Sequence, residues 1–439
     1  MAVAYNVIIL GGHLEARWAA LWATQQGARV ALVVNENGNG TADWGMVAVA
    51  LWARVAEMAL QAQQSAWLFM GESGLNPVWE RAASWVEQMI FAYQAQYSDS
   101  FLLQSGVDVI PGPGAFVTQP NLAVQTPERT LRACGYVVAG TGVPVLPEVL
   151  HLRDVNFLSV AQISTLSQHP RRVAILGNTP AAVVLAQAWA RLGVPVFLPV
   201  AEHRLLPGEE GLLARRLERI LSSEGVQIAT ETALKAVELR STGIHLDCQT
   251  GTHEVDTLLV ATPNHLPPET LGTLELRRQG HYLRVNRYLQ TSHPRIYAVG
   301  DAVGHYPVPA VLGYELQIAV HNILYRRRKP VYRDLSWVIP TAPVLLRQGW
   351  TEAQARQHQP GLQVQTQPLS KRIGNRRGRT LGWHSLAPQA IYRHYSQVSG
   401  AALSWDSWRW VLEETVLPPI PKTGFWRELR LTWQRDGTD

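Results

Sequence analysis

The sequence predicts an α/β protein with two units of the doubly wound parallel kind, followed by a C-terminal α+β region. Two patterns carry this. A strand–turn–helix–strand run opens the chain and returns about 165 residues later, and the last quarter of the chain changes in charge and aromatic content.

In the first unit, residues 6–10 (NVIIL) form an unbroken apolar run, as expected of a strand buried on both faces. Gly11-Gly12 make the turn, residues 14–26 have a helical pattern that stops at Gly27, and residues 29–34 (RVALVV) read as the next strand. In the second unit, residues 173–176 are the strand, Gly177 the turn, 181–192 the helix and 194–198 the following strand. Two βαβ units with separate strands imply two Rossmann-like dinucleotide-binding domains.

Residues 44–104 are helical in character. Short strands follow at 107–110, 116–118, 122–125 and 135–138, and GPGAF (112–116) carries the turn residues of a β-meander. Residues 257–261 (TLLVA) and 295–299 (RIYAV) are further buried strands, the second running into Gly300-Asp301. A third region begins at 331 and has a strand-like run at 337–339.

The 439 residues are 46% hydrophobic and 17% charged, an ordinary globular balance with room for about three domains. No stretch reads as a transmembrane helix, because the most apolar region, 44–60, is interrupted by Arg54 and Glu57. The first residues run directly into a strand without a basic segment, so no secretion signal is expected. Cys134 and Cys248 stand alone, outside any metal-ligand or C-x-x-C spacing, and read as free thiols of a cytoplasmic protein. From Arg326 to Asp439 there are 18 basic and 8 acidic residues, a net +10 against −5 for the rest, and eight of the sixteen tryptophans. That asymmetry points to a distinct domain that meets an acidic partner.

Several blocks resemble the pyridine nucleotide-disulfide oxidoreductases, which include lipoamide dehydrogenase, glutathione reductase and mercuric reductase. They are YVVAGTGVPVLP (136–147), HRLLPGEEGLLARRLERILSSEGVQI (203–228), DTLLVATPNH (256–265), YLQTSHPRIYAVGDAVG (288–304), SWVIPTAPVLLRQGWTEAQA (336–355) and RGRTLGWHSLAP (377–388). The resemblance implies an FAD-binding domain at 1–150 and 270–330, an NAD(P)-binding domain at 151–269 and a dimerisation-like domain at 331–439. It implies FAD contacts from Gly300, Asp301 and the helix that begins near Ala310, with Gly140 at the exit from the FAD domain and Gly114 toward the adenine end.

The family's redox cysteines, by the same alignment, fall on Ala42 and Val47. Its neighbouring lysine falls on Leu51, and the glutamate paired with that lysine falls on Val184. Losing one partner of a buried ion pair strands a charge, whereas replacing both by apolar groups is often neutral. The family's C-terminal His-Pro-Thr and Glu are replaced by EETVLPPIPK (413–422). Disulfide, dithiol and mercuric reduction are therefore not expected.

In a G-x-G-x-x-G/A turn the glycines let pyrophosphate approach a helix N-terminus. Here the positions are Gly11, His13 and Ala16 around Gly12, with Val34 at the acidic ribose position and Glu36 two residues later. His13 either crowds the pyrophosphate or donates to it. The second turn reads Gly177, Thr179 and Ala182, with Val200 at the ribose position and Pro263 in place of a family glycine. FAD is the expected cofactor, and NAD(P)H is the weaker expectation. His203 and Arg204 suit either a 2′-phosphate or ordinary surface. Trp44 suits either the flavin side or the core. KRIGNRRGR (371–379) reads as a solvated basic turn, with no nucleic-acid recognition motif beside it.

Two functions follow from these residues. One is an FAD-binding oxidoreductase-like flavoprotein that passes electrons to a quinone or a protein acceptor without disulfide chemistry. The other is a non-catalytic structural or assembly component that keeps the fold, a pseudoenzyme. In either, FWRELRLTWQR (425–435) places Trp426, Leu429 and Trp433 on one helical face, suited to a second copy, an acidic protein or a membrane surface.

Overall fold

The computed structural model describes residues 4–34, 44–70, 79–140, 143–166, 168–241, 243–332, 335–375 and 380–387. Glu36, Ala42 and the segment 388–439, with its amphipathic run, lie outside them.

The chain opens as β1 (Tyr5–Leu10), α1 (Leu14–Gln25) and β2 (Val30–Val34). Helices α2 (Gly45–Met70), α3 (Trp79–Gln96) and α4 (Asp99–Gln104) follow, then β3 (Val107–Pro111). A meander of β4 (Ala115–Val117), β5 (Ala123–Gln125) and β6 (Thr130–Leu131) leads to β7 (Ala133–Val138). The short strands β8 (Val143–Pro144) and β9 (Leu158–Ser159) precede the second unit.

That unit is β10 (Val173–Leu176), α5 (Pro180–Arg191), β11 (Val196–Pro199), α6 (Gly211–Ser223) and β12 (Val226–Ala229). An antiparallel sheet of β13 (Leu234–Arg240), β14 (Gly243–Cys248) and β15 (Gly251–Val255) separates it from β16 (Thr257–Val260). After β17 (Asn264–His265), β18 (Arg278–Gln279) and β19 (Tyr282–Leu283) come β20 (Ile296–Ala298) and α7 (Pro309–Leu324). The C-terminal region holds β21 (Ser336–Ile339), β22 (Val344–Gly349), α8 (Glu352–His358), β23 (Gln363–Gln367), β24 (Ser370–Gly374) and β25 (Thr380–Ala387).

Two five-stranded parallel sheets result. The first has the order β20–β7–β1–β2–β3 and the second β12–β11–β10–β16–β9. In each, the opening strand sits centrally with connections leaving to both sides, so a crevice forms at its carboxyl end. The third sheet, β21–β22–β25–β24–β23, is antiparallel. The fold is thus the α/β class read from the sequence.

One apolar cluster joins α2 and α3 to α5 and β21. Leu51 of α2 and Val184 of α5 both belong to it, and each is 1% exposed. Trp44 is buried in the same cluster, two residues before Met46.

Candidate functional site

Both parallel units close their turns with a side chain. At the first, Gly11 donates to the Val33 carbonyl at 3.0 Å, and the chain enters α1 at His13. The Nδ1 of His13 accepts from the Ala16 amide at 3.1 Å, so the ring proton sits on Nε2, 3.4 Å from the Ala139 carbonyl at the end of β7. The Glu15 carboxylate also lies 3.2 Å from His13 Nδ1. While that nitrogen accepts from Ala16 it has no proton to give, so this approach is not a hydrogen bond. Behind the turn, buried Arg17 donates to the Gly12 carbonyl at 3.0 Å and to Asp99 at 2.6 Å.

The second turn repeats this with a hydroxyl. Thr179 caps α5 by accepting from the Ala182 amide at 3.2 Å, and its Oγ1 donates to the Ala261 carbonyl at 2.7 Å. Close approach explains Gly177, where a Cβ would stand 2.3 Å from the Ala261 oxygen. Arg204 does not face a 2′-phosphate: its guanidinium donates to the carbonyls of Leu205, Leu206, Pro207 and Glu209. Asn178 fixes the same loop by accepting from the Leu206 amide at 2.8 Å.

Between the turns lies the Gly300-Asp301 pair. Gly300 has φ +57°, a left-handed conformation that favours glycine, and a Cβ there would also stand 2.5 Å from Leu312 Cδ1 and push it aside. Its amide donates to Glu315 Oε2 at 3.0 Å, and Asp301 Oδ2 accepts from Asn264 Nδ2 at 3.0 Å. Glu315 is fully buried in α7, and its Oε1 accepts from His305 Nδ1 at 2.6 Å and from the Tyr332 hydroxyl at 2.5 Å. Burial pulls the His305 pKa down, but the bond to Glu315 and its charge outweigh that, and the net shift is upward. Burial, then the charge of Glu315, pushes Tyr332 up.

These parts face one cavity of about 630 Å³. His13, Leu14 and Glu15 line it on one side, Thr179 and Ala181 on another, and Gly300, Asp301, Val308, Pro309 and Leu312 along its length. Met46 and Val47 of α2 complete it. Val47 is the position where the resemblance places a redox cysteine, and it presents an aliphatic wall.

The remaining expected residues sort as follows. Gly11, Gly12, His13 and Ala16 form the turn at α1. Gly140, φ +76°, lies against Asp301, where an added Cβ would stand 3.3 Å from that side chain. Gly114 lies against Val33 and Val124, where a Cβ would meet their methyls at 2.8 and 3.0 Å. Ala310 points into the apolar cluster, and its neighbours Val308, Pro309 and Leu312 line the cavity. Cys134 is exposed, Cys248 is buried, and both are free. Lys371, read as part of a solvated turn, is instead buried between Glu210 and Glu352, with Nζ 2.6 Å from each. Its partners lie far away in sequence, so nothing local marked them. Glu15 and His305 were missed; Asn264 and Glu315 fall in or beside the matching blocks but had no role assigned there, although a lone Glu in the apolar run of α7 was a visible sign.

The profile of the pyridine nucleotide-disulphide oxidoreductase family matches residues 5–321. The mercuric reductase of Staphylococcus aureus is 29% identical over 379 residues, covering 83% of this chain and 68% of that protein. The dihydrolipoyl dehydrogenase of Acholeplasma laidlawii is 24% identical, covering 74% of this chain and 97% of that protein. Among solved structures, the HOCl-induced flavoprotein disulfide reductase RclA of Escherichia coli shares the fold, with TM-score 0.74 and 19% identity over 95% of this chain and 97% of that one. The chain belongs to the pyridine nucleotide-disulphide oxidoreductase family.

Proposed function

We propose that this chain is an FAD-binding flavoprotein that works without a redox disulfide and passes electrons from the flavin to a quinone or a protein acceptor. The observation that carries this is the wall of the cavity. Val47 faces it where the family's chemistry needs a thiol, while Leu51 and Val184 together fill the core where the family keeps an ion pair. Both cysteines lie elsewhere, in β7 and β14.

The site fits FAD on the geometry of its own residues. Gly300 and Gly140 adopt backbone conformations that bring the chain close to Asp301, and α1 directs its N-terminus at the cavity. Asp301, oriented by Asn264, would hold the sugar–phosphate part of FAD, and Val308, Pro309 and Leu312 would give its ring system an apolar, water-excluding wall. Bound flavin supplies the redox chemistry, and the protein supplies position and surroundings. Pyridine nucleotide is offered less, because Thr179 occupies the second helix N-terminus and Pro263 lines the cavity beside it.

The specific observation favouring the second reading, a non-catalytic component that keeps the fold, is that both turns are capped by their own side chains. The absorption spectrum of the purified protein, repeated after incubation with FAD, separates the two. A bound flavin spectrum supports the first reading. A protein colourless in both supports the second. Anaerobic addition of NADH or NADPH then shows whether the second unit delivers electrons.

We further propose a cytoplasmic protein that docks through its basic, tryptophan-rich C-terminus to a second copy or an acidic partner. Among the described residues no helix is long and apolar enough to cross a membrane. Loss of that association on deleting residues 422–439, read by light scattering and pull-down with flavin retained, tests the docking.

A further inference from the structure

We propose that His13 is a proton-operated latch on the phosphate cradle of the first turn. One nitrogen, Nδ1, stands between two competing partners: the Ala16 amide at 3.1 Å, which it can only accept from, and Glu15 Oε2 at 3.2 Å, which it can only donate to. The two bonds exclude each other, and the proton decides between them. With the ring neutral, Nδ1 caps Ala16 and the amide is taken. With the ring protonated, Nδ1–H donates to Glu15, the Ala16 amide loses its side-chain acceptor and keeps only the His13 carbonyl at 3.1 Å, and Nε2–H remains a second donor.

Glu15 supplies the independent sign that this turn is built for exchange. Its side chain is 10% exposed and lines the cavity, and in the capped state it has no hydrogen bond among the described residues. A buried carboxylate without a partner is costly, and an imidazolium beside it removes that cost. The proton also changes what an anion meets. In the closed state the pyrophosphate of a dinucleotide faces an uncompensated carboxylate and an occupied amide. In the open state it faces a neutral ion pair at a helix N-terminus that the His13 ring no longer caps, an arrangement that favours an anion.

The other charged groups around His13 do not substitute for Glu15. Arg17 is spent on Gly12 and Asp99 behind the turn, and Asp301 and Glu269 stand elsewhere on the cavity wall. Among the described residues, α2 contributes Met46 and Val47 to the cavity wall, and the Ala139 carbonyl after β7 is neutral. The ligand arm of this inference rests on the flavin reading above, and the proton arm does not.

The test therefore has two arms on the full-length protein. Nitrogen-15 NMR follows the His13 ring and the Ala16 amide from about pH 6 to about pH 8.5, the range around an ordinary histidine. The two signals should titrate together in the wild type, and the Ala16 response should vanish in Glu15→Gln. FAD binding to the flavin-stripped protein is measured over the same range. The wild-type dissociation constant should rise by up to about tenfold per pH unit above the His13 titration. His13→Gly should bind tightly and without that slope, and Glu15→Gln weakly and without it. An Ala16 amide indifferent to His13 protonation overturns the latch, and so does a shared pH profile for wild type and His13→Gly. Coupled titration with no FAD bound by any variant supports the latch and overturns the flavin reading alone.

Discussion

His13 caps α1 through the Ala16 amide and Thr179 caps α5 through the Ala182 amide, and each reaches the carbonyl of the alanine that follows the neighbouring strand. The positions correspond, yet the bonds differ in kind. A hydroxyl donates and accepts at once, so Thr179 satisfies both neighbours with no change of charge, at 2.7 and 3.2 Å. An imidazole nitrogen does one or the other. The capping bond of His13, 3.1 Å, matches that of Thr179, but its carbonyl contact is longer, 3.4 Å, and a carboxylate competes for the ring. The comparison teaches that two corresponding turns close in different ways: the second by a fixed cap, the first by a cap that a proton releases.

The largest test of this account lies behind the turns, where α2 meets α5. Leu51→Lys puts an unpaired charge into a site that is 1% exposed and should cost about 3–5 kcal/mol in denaturant unfolding. Adding Val184→Glu should recover part of that loss by restoring a partner. A double variant no better than Leu51→Lys alone would separate these positions.

At the proposed flavin site, Asp301→Ala should lower FAD occupancy after gel filtration by about tenfold, the effect of about 1.4 kcal/mol from one lost charged hydrogen-bond acceptor. Full occupancy would remove Asp301 from the site. At the second turn, Thr179→Ala removes a helix cap and should cost about 1 kcal/mol of stability. If the cap is what blocks the cradle, the same variant should bind NADH more tightly than wild type, and unchanged binding would show that Pro263 or the absent ribose acid limits it instead.

The smallest effect expected is a pH dependence at His305. Its folded pKa is raised, so the stability it contributes is fully present below the unfolded value and is lost as pH rises through the folded one. Thermal unfolding of wild type should therefore weaken over that window, and His305→Asn should weaken less. Parallel curves would place the dependence on another group.

Much of this was legible in the sequence for a plain physical reason. A strand covered on both faces must be apolar throughout, so residues 6–10, 173–176 and 257–261 announced themselves, and the turn after each unit's first strand carried its glycine. The side-chain networks were not legible, because their partners are distant in sequence. Lys371 reads as solvated until Glu210 and Glu352 close around it, and Arg204 reads as either surface or a 2′-phosphate contact until the loop 205–209 turns its carbonyls inward. His13 was recognised as a departure at a glycine position. What gives it a second state is Glu15, which the motif leaves unspecified.

The central claim, a flavin without a partner disulfide, is tested most directly by counting electrons. A flavin accepts two, and a flavin with a redox disulfide accepts four. Anaerobic dithionite titration of the FAD-loaded protein should end at two electrons per flavin, without the long-wavelength thiolate–flavin band. An end point of four, or the appearance of that band, would contradict it.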